Sequence, residues 1–157
     1  MEKPENIDEY IKWLNDTHNK SITRKTETYY DSVSSKVQSK FSTSPFWIEL
    51  SEQLQEFNDQ FSLKTQYPLL VNDKIELNIK TWNSFLEKNF RHNVVNNNNW
   101  PDPPELGWVF NDTWFSKAND IVRTLIVVKY LDGVDYLIKK IESLAEKHNL
   151  EITKKLE

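Results

Sequence analysis

Only two glycines, Gly107 and Gly133, occur in 157 residues. That scarcity rules out a glycine-rich loop that wraps a phosphate in bare backbone, because such loops need several positions without a Cβ. An anion site in this chain has to come from side chains and from a helix start, where unpaired N–H groups and a partial positive charge already sit. The stretch that best answers this description is Ile75–Lys88, IELNIKTWNSFLEK. Ile75, Leu77 and Ile79 alternate with Glu76, Asn78 and Lys80, the period of a half-buried strand. A helix follows from Thr81, with Trp82, Phe85, Leu86 and Phe90 turned inward, and is spent by Asn93. Lys80, Thr81, Ser84 and Lys88 gather around its start, and Lys88 shares a helical face with Ser84 four residues before it.

The rest of the chain is expected to fold around this unit as one compact α+β domain, with a helical region over 1–66 and a mixed region over 67–157. Aromatic residues make up 13% of the chain, enough for an aromatic core and too many for a disordered segment. Asn6, with Glu9 three residues on, is a capping box for a first helix carrying Ile7, Tyr10, Ile11 and Leu14 on one face. A second helix is predicted over 23–40 with Tyr29 or Tyr30, Val33, Val37 and Phe41 as its stripe. Ser44 and Pro45 start a third, whose Phe46, Trp47, Leu50, Leu54, Phe57 and Phe61 repeat at helical spacing. Asn72-Asp73 reads as a turn, 94–107 as a long Asn- and Pro-rich loop, and 108–115 as a brief strand or an aromatic plug. Leu125–Val128 has the unbroken apolar, β-branched character of a strand covered on both faces. Asp132 is the expected cap of a last helix lined by Val134, Leu137, Ile138, Ile141, Leu144, Ala145 and His148, with Asn149 closing it. Residues 151–157 are read as the start of another strand.

A net charge of −4 argues against a nucleic-acid surface, and no apolar run is long enough to span a bilayer. With no cysteine and a polar, acidic N-terminus, the expectation is a soluble cytoplasmic protein without disulfides or thiolate metal sites. His18, His92 and His148 show no metal-ligand spacing, and His148 reads as structural. Two readings of the charged residues stand side by side. In one, Lys80, Ser84 and Lys88 hold phosphates, Asp120 holds a Mg²⁺ that bridges them, and Arg123 stacks on a base or clamps a phosphate. In the other, Lys80 is an edge-strand charge, Ser84 a cap, Lys88 a solvated lysine near Glu87, Asp120 a segment breaker and Arg123 a surface arginine.

The run Lys80-Thr-Trp-Asn-Ser84-Phe-Leu-Glu-Lys88 resembles the phosphate-binding motif of the RelA/SpoT alarmone synthetases: a lysine, a small hydroxyl residue, a serine four after the lysine, then Glu-Lys. The block from Asn119 through Asp120, Arg123 and Asp132 resembles that family's next segment, in which a metal-binding Asp precedes a hydrophobic strand and another Asp opens the following helix. The resemblance covers about Ile75–Leu150. It implies a nucleotidyltransferase-like mixed sheet flanked by helices, and a GTP/GDP pyrophosphokinase that transfers pyrophosphate from ATP to the 3′-hydroxyl of a guanine nucleotide to make (p)ppGpp. It further implies that Lys80, Ser84, Lys88 and Arg123 bind ATP phosphates and that Asp120, in the catalytic role, binds Mg²⁺. ATP and GTP or GDP are then the expected partners, with self-association open. The family's later segments would lie beyond Glu157, so the chain is expected to be the N-terminal part of such a domain. The alternatives are a non-catalytic nucleotide-binding domain and a helical interaction or regulatory module.

Overall fold

A computed structural model of the chain describes residues 2–72, 74–118 and 120–152. The architecture is predominantly helical with one small sheet. In chain order the elements are α1 (Ile7–His18), α2 (Arg24–Ser42), α3 (Pro45–Thr65), β1 (Asn78–Ile79), α4 (Trp82–Phe90), a π-helical turn over Arg91–Val95, α5 (Trp114–Lys117), β2 (Val122–Arg123) and α6 (Leu131–Lys147). Strands β1 and β2 pair antiparallel as the two-stranded sheet. The chain divides into two compact units, each assembled from two stretches of sequence: 1–37 with 79–123, and 38–78 with 124–157.

The helix starts follow their capping chemistry. Asn6 Oδ1 accepts from the Glu9 N–H at 3.0 Å, while the Glu9 carboxylate accepts from the Glu5 N–H at 2.9 Å and the Asn6 amide at 2.8 Å. Ser44 Oγ accepts from the Trp47 N–H ahead of Pro45, and Thr81 Oγ1 accepts from the Ser84 N–H. α1 closes on Asn19 in the left-handed conformation, φ +52°.

In the first unit α1 packs on α4. Tyr10, Trp13, Leu14, Leu86 and Val94 form one buried cluster, and Tyr30, Phe85, Val109, Trp114 and Ile121 a second. The 108–115 segment is an aromatic plug ending in α5, since Trp114 is buried and Trp108 and Phe110 pack on Trp13 and His18. In the second unit α3 packs on α6 through Trp47, Leu50, Leu54, Phe57, Phe61, Leu137 and Leu144. There the Asn58 amide oxygen accepts from the N–H groups of Leu69 and Leu70, at 3.0 and 3.1 Å, and so fixes the chain after α3. His148 is structural: its Nε2 meets Glu49 at 2.8 Å, and Lys147 pairs with the other oxygen of the same carboxylate.

Several expectations need correcting. Leu125–Val128 is not a strand covered on both faces: Leu125 is 77% exposed, and only Val128 makes an isolated bridge, to Leu70. Among the described residues each strand has two residues, and no broad sheet includes that run. The alternation of burial does persist from Ile75 to Ile79, although only Asn78 and Ile79 pair. The buried positions of α2 are Tyr30 and Ser34, while Val37 is exposed and Phe41, about a third exposed, packs its ring on Phe46 and Trp47. Tyr130, not Asp132, is the cap position of α6; Asp132 lies in the first turn and accepts from the Tyr67 hydroxyl. Val134 and Ile138 are exposed on α6. The closing residue of α6 is His148, with Asn149 just beyond it at φ +55°. Glu151 and Ile152 belong to no strand, and the turn residue Asp73, the breaker Asn119 and residues 153–157 lie outside the described set.

Candidate functional site

β1 hands the chain to α4 through Lys80, and this residue is anchored at every level. Its N–H donates to the Ile121 carbonyl at 2.8 Å, extending the β1–β2 ladder by one bond. Its carbonyl accepts from the buried Tyr30 hydroxyl at 2.8 Å. The side chain is buried, and a buried ammonium needs a counter-charge. Asp120 supplies it: Lys80 Nζ donates to Asp120 Oδ2 at 2.6 Å. Lys88, two turns into α4, donates to the other oxygen, Oδ1, also at 2.6 Å. One carboxylate thus accepts from two ammonium groups on either side of a helix start. Burial pushes the Asp120 carboxyl up, but the hydrogen bonds from Lys80 and Lys88, together with their charges, outweigh it and hold the carboxyl below its ordinary range.

This cluster forms a wall of a cleft of about 610 Å³ that lies wholly within the first unit. Arg91 and His92, three and four residues after Lys88, continue the same helical face into it. Asn96–Asn99 and Pro104–Leu106 form the opposite rim. Among the charged lining residues, three cations (Lys80, Lys88, Arg91) face two carboxylates (Asp120, Glu105), so the cleft is cationic inside an acidic protein.

The rim is held by side chains that meet main-chain groups. Asn93, fully buried, donates to the Tyr10 hydroxyl at 2.7 Å and the Val109 carbonyl at 2.8 Å, and accepts from the Val109 N–H at 2.9 Å. Asn97 donates to the carbonyls of Asn93 and Asp102 and accepts from the Asn99 N–H. Gly107 sits at φ +71°, a conformation that disfavours side chains. Across it, Lys117 Nζ donates to the carbonyls of Leu106 and Trp108, both at 2.9 Å, and His92 Nε2 lies 3.1 Å from the Gly107 carbonyl.

No protein-family model, curated protein or solved structure matches this chain.

The structure brings together three of the five expected site residues, Lys80, Lys88 and Asp120. Ser84 and Arg123 do not line the cleft, and Arg123 is exposed on β2. The Ser84 N–H is not free for an anion, because it is spent on Thr81 Oγ1 at 3.3 Å, and the Ser84 hydroxyl is within 3.0 Å of the same oxygen. Arg91 and His92 join the cleft beyond the expected residues, and their spacing from Lys88 on one helical face is a readable signal in the sequence. Nothing in the sequence distinguishes Asn93 and Asn97, which brace the rim, from their neighbours. Among the described residues no three His, Asp or Glu side chains gather as a ready metal site. Asp120 is instead a single, partly exposed carboxylate beside cations, a donor that suits one position on a Mg²⁺ whose other ligands are phosphate oxygens and water.

Proposed function

We propose that the first unit binds the polyphosphate of a nucleotide, ATP, and that the chain is part of a RelA/SpoT-type pyrophosphokinase with a nucleotidyltransferase-like core. The observation that carries this reading is the convergence of Lys80 and Lys88 on one carboxylate in the wall of an open, cationic cleft. Two ammonium groups, that of Lys80 buried just before α4 and that of Lys88 partly exposed on it, converge on one point and are electrostatically ready for a phosphate oxygen pair in place of the two Asp120 oxygens. On binding a polyphosphate, Lys80 and Lys88 would transfer their hydrogen bonds to it, which would leave Asp120 as the residue able to hold a Mg²⁺; that ion would supply charge neutralisation. In the transfer itself, the 3′-oxygen of GTP or GDP bonds to the β-phosphorus of ATP, the bond from that phosphorus to the α–β bridging oxygen breaks, AMP leaves, and the hydroxyl proton passes to a base. The chain's contribution is positioning and charge compensation.

A second reading, nucleotide binding without transfer, is favoured by one observation: among the described residues no group of three or more His, Asp or Glu side chains stands ready to hold a metal. One experiment separates the two. Tripolyphosphate is titrated by calorimetry into the wild type and into Lys88→Ala, and the wild type is incubated with ATP, GTP and Mg²⁺ while AMP is followed. Loss of one charged hydrogen-bond donor is expected to weaken tripolyphosphate binding roughly tenfold or more. AMP formation together with a pyrophosphorylated guanine nucleotide supports transfer; binding with no AMP supports the second reading. Equal affinity in the wild type and in a Lys80→Ala/Lys88→Ala double variant would defeat both.

A further inference from the structure

We infer that residues 124–128 are an open backbone edge of the second unit, and that a second copy of this chain pairs with it about a two-fold axis at Val127. The run is held on one side only. The Val127 carbonyl accepts from the Val71 N–H, and the Lys129 N–H donates to the Leu69 carbonyl, both at 2.9 Å, with Leu70 and Val128 bridged antiparallel between them. Backbone groups alternate from side to side along an extended run, so Ile126 and Val128 turn theirs the other way. Neither makes a backbone hydrogen bond among the described residues. The side chains keep the same period. Ile126 and Val128 pack on the core between α3 and α6, while Leu125 is 77% exposed and Val127 45%. Val71, opposite Val127 in this register, is 51% exposed. Thr124-Leu-Ile-Val-Val128 holds no charge, proline or glycine, so it lacks the usual devices that blunt an exposed edge.

Such an edge is directional, because what satisfies it is another extended backbone. This one is complementary to itself. Antiparallel pairing about Val127 sets Ile126 opposite the partner's Val128 and Val128 opposite the partner's Ile126, and each pair exchanges N–H and C=O groups. On the exposed face Val127 meets the partner's Val127, so an apolar row runs from Val71 through both to the partner's Val71. Leu125 stands opposite the partner's Lys129, whose aliphatic stem can lie over it. No two like charges oppose one another between residues 124 and 130. Pairing about Ile126 would instead set Val128 opposite the partner's Thr124, a poorer match of apolar to polar. The inference stands apart from the polyphosphate reading, since residues 124–130 and 69–71 lie in the second unit and the charged site in the first.

The test is sedimentation velocity on the full chain, in a concentration series up to about 0.1 mM, for the wild type, Val127→Lys, Val127→Glu and an equimolar mixture of the two variants. The wild type is expected to dimerise. Each variant opposes two like charges on the axis and should dimerise roughly tenfold or more weakly. The mixture sets Lys opposite Glu and should recover a dimer. Val127 is exposed, so the unfolding midpoints of the variants should match that of the wild type at concentrations where all are monomeric. If a Val127 variant does not fold, Leu125→Lys, which faces the partner's Lys129, carries the same expectation of a weakened dimer. A wild type that stays monomeric throughout overturns the second copy and leaves the edge to a strand from another chain. Variants as dimeric as the wild type, or a mixture no tighter than either variant alone, overturn the pairing about Val127.

Discussion

Asp120 holds a carboxylate between two ammonium groups, and that arrangement has a pH signature. Its folded-state pKa lies below the ordinary 3.8, so it contributes stability that is fully present above that value and is lost as the pH falls through the depressed folded value. Solvent screening limits the effect, as about a third of the side chain is exposed. Urea denaturation of the wild type and of Asp120→Asn across an acid series should show it. The wild type loses roughly 1 kcal/mol or less below pH 3.8 that the variant does not lose. Parallel curves for the two proteins would mean that the lysine contacts carry no linked stability. Beside it, Lys80 has its main chain committed to Ile121 and Tyr30, so an anion bound in the cleft would exchange one partner of the ammonium.

At the scale of elements, α4 and the rim facing it decide what the cleft can hold. The rim turns at Gly107, where a Cβ would stand 3.2 Å from Lys117 Nζ and the backbone at φ +71° is strained for other residues. Gly107→Ala is expected to destabilise the protein by about 1–2 kcal/mol, read as a shift of the denaturation midpoint. A variant as stable as the wild type would show that the rim relaxes freely. The other glycine, Gly133, is fixed by close approach: a Cβ there would lie 2.7 Å from the Leu69 side chain. Much of the element plan was legible because caps and helical stripes are local signals. Asn6 with Glu9, Ser44 with Pro45, and the apolar repeat of α3 each act within a turn or two of helix. The pairing of Lys80 with Asp120 was also legible, as two separate motifs expected to be neighbours. What escaped depended on contacts that leave no period in the sequence. Leu125–Val128 has a strand's composition but lacks neighbours to cover it, and Asn93 and Asn97 act through side-chain bonds to distant main chain.

At the scale of the whole molecule, the site belongs to a unit made from two remote stretches of chain. The unit that carries Lys80, Lys88 and Asp120 also needs residues 1–37, since Tyr10, Trp13, Leu14 and Tyr30 supply the cores under α4. A fragment comprising residues 67–157 contains all of the charged site and none of those supports. It should show neither the tripolyphosphate binding of the full chain nor tertiary near-ultraviolet dichroism from Trp82 and Trp114. Retained affinity in the fragment would mean that the motif folds without the N-terminal helices. Contacts such as Tyr10 with Asn93 close long loops, and loops of that length must be closed before their contacts repay the entropy.

Helix α4 also works as a ruler. It places Lys88 against Asp120 and sets Arg91 and His92, in the turn that follows, at the cleft, by rotation alone. Each added residue turns an α-helix by about 100°. A single alanine inserted after Thr81 would therefore turn everything downstream, carry Lys88 away from Asp120 and move Arg91 and His92 off the cleft together. The ion pair and the cleft lining are thus in register with one another, and a change of length in this one helix cannot retune either alone.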